Sequence, residues 1–170
     1  MLETNTRGQI FSTDLIIAGA VFLLIATMTI LYSNQMAQNI SATETANARE
    51  QAAIAAANSL VYSPGTPGNW ENYPEITGVE SIGIAKTRNE IDSQKLGRII
   101  LLSQTNYTEI KDLLGLSKYG FFVSVQNMQN SQPIYQFGTL PLAEKETSTV
   151  NRIATLNGSD IILRVQVYST

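Results

Sequence analysis

The sequence predicts an α+β fold: a long N-terminal helix, apolar over its first third, packed against a small antiparallel β-sheet head with short helices. Three observations predict it. Residues 15–31 form an uncharged, almost wholly apolar run near the start of the chain. From residue 33 to 61 there is neither Pro nor Gly, and alanine recurs throughout. Residues 148–168 alternate apolar and polar side chains around Asn157-Gly158, the signature of two strands joined by a tight turn.

The apolar run comes first. At about 1.5 Å per residue it spans roughly 26 Å, slightly short of the ~30 Å hydrocarbon core, so it can cross a bilayer with local thinning. Arg7 and the initial amine precede it, whereas residues 32–48 hold no Lys or Arg. That asymmetry keeps the first residues in the cytoplasm and sends the rest outward. A secretory signal would carry a small-residue cleavage site just after a shorter run. Here the nearest Ala-x-Ala, Ala46-Asn47-Ala48, lies far downstream.

The helix should continue beyond the run. Met36, Ile40, Ala48, Ala52, Ala55 and Ala56 fall near one face at spacings of about four, and Ser63-Pro64-Gly65 supplies the stop. A rod over residues 13–61 would be about 70 Å long, and its outer two thirds need a partner surface.

The remainder reads as follows. Residues 63–73 form a loop punctuated by Pro64, Gly65, Pro67 and Gly68, with Trp70 as its packing plug. Residues 79–85 suggest a short strand. Residues 92–103 form a helix with a cap at Asp92 or Ser93 and Leu96, Ile99, Ile100 and Ser103 at helical spacing. A second short helix over 106–114 places Tyr107, Ile110, Leu113 and Leu114 on one side, and Gly115 closes it. Strands at 119–126 and 134–137 flank a polar turn, and the 148–156 and 160–168 hairpin ends the chain. The sheet should have four or five antiparallel strands.

Composition narrows function by exclusion. Formal net charge is −3, which gives no basic surface for nucleic acid. The chain has no Cys and no His, so thiolate and imidazole nucleophiles, bases and metal ligands are all missing. No glycine pattern follows a strand and opens a helix as phosphate loops require, and no run has the ligand spacing of a calcium loop. Glu90 and Asp92 among Lys86, Arg88, Lys95 and Arg98 read as a solvated surface. The expectation is a protein without catalytic activity, cofactor or metal.

The residues before the apolar run carry the one specific signal. Arg7-Gly8-Gln9, with Ser12 and Asp14 just ahead of the helix, resembles the N-terminus of archaeal type IV pilin-like proteins. In that family a short leader ends in a basic residue and glycine, is cut before glutamine, and is followed by a serine and an acid. Counted from a cut after Gly8, Ser12 and Asp14 stand one position later than the family spacing, so the cut falls after Gly8 with relaxed spacing or after Gln9. The first is preferred, because the basic-glycine pair is what the prepilin peptidase reads in related proteins.

The resemblance implies a leader over residues 1–8, a long helix over 9–62 with its membrane span and filament core at 15–31, and an extracellular head over 63–170. It implies a structural subunit, major or minor, of a surface filament serving adhesion. Its partners would be copies of itself or related pilins, the prepilin peptidase, an assembly platform protein with its ATPase, and the membrane before assembly. Asp14 would pair with a neighbour's new amino terminus. As a plain alternative, Ser12, Thr13 or Asp14 caps the helix. Asn39, Asn106 and Asn157 each open an Asn-x-Ser/Thr sequon, about the number chance predicts, and are possible glycosylation sites. A competing reading is a single-span anchor whose outer domain binds a ligand without polymerising.

Overall fold

A computed structural model describes residues 13–170 in full, together with the helical backbone back to Thr6. The processing residues Arg7, Gly8 and Gln9, and Ser12 beside them, lie outside the residues whose side chains are described. Helix α1 runs without interruption over Thr6–Tyr62, as the Pro- and Gly-free sequence dictates. It stops where Ser63 leads into Pro64, although the Ser63 amide still donates to the Ser59 carbonyl at 3.2 Å. The chain divides into two compact units, residues 1–45 and 46–170, and α1 runs through the boundary.

In the second unit, α1 contributes Ala53, Ala56, Ala57, Leu60 and Val61 to the core, each fully buried. The buried face therefore differs from the expected one, since Ala48 and Ala55 are exposed and Ala52 is half-buried. Alanines surround this part of the helix, so hydrophobicity alone gives little contrast between faces. Leu60 and Val61 set the rotation, and the short alanines let the helix backbone lie close to its neighbours.

After α1 the chain forms a single helical turn at Trp70–Asn72, then β1 (Ala85–Thr87), β2 (Glu90–Ile91), α2 (Ser93–Thr105) and α3 (Tyr107–Leu113). Strands β3 (Tyr119–Asn127), β4 (Pro133–Gly138), β5 (Thr147–Leu156) and β6 (Ser159–Ser169) follow. The sheet has six strands in the order β1-β2-β5-β6-β3-β4. All neighbours are antiparallel except β2 and β5, so the expected four or five antiparallel strands give way to a mixed sheet.

The difference lies in the shortest strands. The strand expected at 79–85 is replaced by a segment that bonds to the end of α1: the Ile84 amide donates to the Leu60 carbonyl at 3.0 Å and the Ala85 amide to Ser63 at 3.1 Å. Gly83 permits that approach, because a β-carbon there would collide with the Ser63 carbonyl. The ladder begins only at Ala85, two residues after this contact.

The other elements match their sequence signals. Asp92 caps α2 by accepting from the Gln94 amide at 2.8 Å and the Lys95 amide at 3.3 Å. Leu96, Ile99 and Leu102 are its buried apolar side chains. Gly115 ends the short α3 region with a φ of 73°. In the β5–β6 hairpin, Asn157 and Gly158 adopt φ values of 51° and 78°, the pair of positive angles that a type I′ turn requires. Phe121, Val123 and Val125 of β3 lie beside Val167, Val165 and Leu163 of β6 on the core face.

Lys95 corrects the reading of its neighbourhood as solvated surface. It is 4% exposed, and its Nζ donates to the carbonyls of Pro64 at 2.7 Å and Gly68 at 2.6 Å, with a Glu71 carboxylate oxygen at 3.9 Å. The indole of Trp70, 1% exposed, donates from Nε1 to Gly83 at 2.9 Å and Pro64 at 3.1 Å. Together they fasten the 63–73 loop to the core, so Trp70 is the packing plug its setting suggests.

Candidate functional site

The first unit presents the most distinctive surface of the molecule. Across residues 15–31 the large apolar side chains are exposed on every side of the helix, including Leu15 at 73% and Phe22 at 70%. A helix apolar around its whole circumference belongs in a protein core or in lipid, and no part of its most apolar window is buried. Among the described residues, α1 is long and apolar enough to cross a bilayer.

Its few polar groups are satisfied within the helix. The Thr27 hydroxyl donates to the Leu23 carbonyl at 2.7 Å and the Thr29 hydroxyl to Ile25 at 2.9 Å. That back-bonding removes the free donors that would be costly in hydrocarbon. Asp14 is exposed at the N-terminal edge of the apolar stretch, where a carboxylate can reach the interface.

The surface does not end with the span. Tyr32, Met36 and Ile40, at i, i+4 and i+8, are 69%, 54% and 51% exposed and line a shallow groove of about 460 Å³ with Asn39, Thr43 and Glu44. Helical spacing alone singles out Met36 and Ile40. The groove extends that stripe to Tyr32 and gives it a polar margin.

The second unit has its own anchor for α1. Arg49, 6% exposed, donates from Nη1 to the Glu146 carboxylate at 2.8 Å and from Nε to the Ser148 hydroxyl at 3.2 Å. One turn short of the helix end, Asn58 accepts from Arg152 Nε at 3.0 Å. Nothing in the spacing of Arg49 marks it as buried, although an arginine among alanines is a visible break in pattern.

The remaining sequence-marked residues do not converge. Asn39 lies on the exposed helix, Asn106 at the α2–α3 junction, and Asn157 on the exposed hairpin turn. Asn106 is half-buried and its side-chain oxygen accepts from the Thr105 hydroxyl at 2.8 Å. Among the described residues, no group of three or more His, Cys, Asp or Glu is placed to hold a metal. No protein-family model, curated protein or solved structure matches this chain.

Proposed function

We propose that the protein is a structural subunit of a type IV pilus-like surface filament, anchored by its helix in the membrane before assembly and held by the same helix afterwards. Cutting after Gly8 would leave Gln9 at the start of a mature chain that retains its apolar stem. In the membrane, acyl chains cover that stem. In the filament, the stems of sibling copies replace them through side-chain packing. Asp14, at the mouth of the stem, is the group to pair with a neighbour's new amino terminus, and the head faces outward to serve adhesion.

One observation carries the reading. The exposed apolar surface of α1 continues past residue 31 into Tyr32, Met36 and Ile40, beyond the stretch that lipid needs to cover. A plain anchor requires the span alone. A subunit that packs along its neighbours requires the continuation as well.

The test is mass spectrometry of the N-terminus on material sheared from cell surfaces. Chains beginning at Gln9 in sheared fibres are the expected result. Chains that keep Met1 and appear only in detergent extracts would instead support a non-polymerising anchor whose outer domain binds a partner.

A further inference from the structure

We propose that the loop carrying Leu140 and Leu142 docks on the Tyr32–Met36–Ile40 groove of a second copy of this chain. The proposal rests on the filament reading and names one contact within it.

Leu140 and Leu142 are 65% and 69% exposed, more than the other large apolar side chains of the head. The backbone that carries them is firmly held. Thr139 donates its amide to the Phe121 carbonyl at 2.9 Å and accepts from the Tyr168 hydroxyl at 2.9 Å. The Lys145 amide donates to Leu142 at 3.0 Å, and the Ser169 amide to Glu146 at 3.2 Å. Pro141 fixes the backbone between the two leucines. Two leucines displayed on a pre-ordered loop lose little further freedom on docking, and such display marks a contact surface.

The groove supplies the matching half. Its floor is Tyr32, Met36 and Ile40, and Glu44 is the formal charge among its lining residues. On the loop, Glu146 is engaged by Arg49, which leaves Glu144 and Lys145. Lys145 complements Glu44, and the flexible Met36 thioether adapts to a leucine. Both halves belong to the same sequence and neither is self-complementary. Such a contact is heterologous, so each added copy offers a fresh groove and growth stays open-ended. Two leucines bury far less than the ~1,200 Å² of a stable free interface, so the contact sets register within an assembly that stem packing holds together.

The chain has no Cys, which makes disulfide trapping clean. In filaments sheared from cells and oxidised, Met36→Cys with Leu142→Cys in one chain should give a ladder of covalent multimers, and neither single variant should. Filaments of the double variant without a ladder, or equal ladders from a single variant, overturn the contact and leave the filament reading standing. A ladder confined to detergent extracts of cells without filaments supports the contact and removes the filament reading. Charge reversal gives a second measurement that needs no cysteine. Lys145→Glu should lower filament yield several-fold and Glu44→Lys in the same chain should restore it, whereas an unchanged yield with Lys145→Glu overturns the proposal.

Discussion

Tyr168 lies on the face of the sheet opposite the core, yet it is only 8% exposed. Its ring occupies the space that a β-carbon at Gly120 would take, and its hydroxyl donates to the Thr139 carbonyl. Burial first, and the neighbouring Tyr107 hydroxyl second, push its pKa above the usual phenol value, while the bond with Thr139 pulls the other way. The folded chain thus holds this proton more tightly than the unfolded chain does. Its contribution is complete below the unfolded value of about 10 and is lost as pH rises through the higher folded value. The protein has a single tryptophan, the buried Trp70, whose fluorescence reports unfolding of the head. Denaturation followed this way should show stability falling above about pH 10. Tyr168→Phe should flatten that fall and cost about 1 kcal/mol at neutral pH for the lost hydrogen bond.

At the same scale, Lys95 shows where sequence stops informing. Its neighbours in sequence are polar, and a solvated lysine is what they suggest. Its burial arises from the carbonyls of Pro64 and Gly68, well upstream in a loop whose path no local pattern specifies.

Among the elements, the join between α1 and β5 rests on an asymmetric pair. The Arg49 side chain is 7% exposed and the Glu146 side chain 73%. Removing the acid leaves a buried guanidinium with the Ser148 hydroxyl and without its counter-charge. Removing the arginine releases a carboxylate that already sits mostly in water. Glu146→Ala should therefore cost about 1–3 kcal/mol, and Arg49→Met, which keeps an apolar stem of similar length, less than about 1 kcal/mol. Chemical denaturation of the two variants side by side checks the order; equal losses, or a larger loss for Arg49→Met, contradict the argument.

Elements with strong periodicity or a decisive turn are legible in the sequence. Helix α1, the Asp92 cap, the α3 helix and the Asn157-Gly158 hairpin all follow from local chemistry. Strands β1 and β2 are not, because Ala85–Thr87 and Glu90–Ile91 are too short to express an alternation. The parallel pairing of β2 with β5 joins residues distant in the chain, Glu90 with Thr155 and Ile91 with Leu156, and such a choice is made by packing rather than by local preference.

For the molecule as a whole, the two units divide two tasks. The head builds its core from α1 residues no earlier than Ala53, and Arg49 is the first residue of α1 to be buried among the described residues. Deleting residues 1–31 should therefore leave Trp70-monitored stability unchanged within about 0.5 kcal/mol, while the shortened protein stays in solution without detergent. A large loss of stability would show that the apolar segment supports the head. The span itself is legible from composition, and Asp14 from its place before it. The Tyr32–Glu44 groove is half legible from spacing, and the Leu140–Leu142 loop is not, since exposure of a leucine depends on what the rest of the chain fails to cover.

Strand β6 lies between β5 and β3, yet it follows every other strand along the chain. Until it is synthesised, β1, β2 and β5 have no bridge to β3 and β4, and two unfilled edges stand open to wrong partners. The sheet is thus completed from its middle, and late. A prematurely ended product is two fragments of a head rather than a smaller one, material for proteolysis before it could poison a growing polymer.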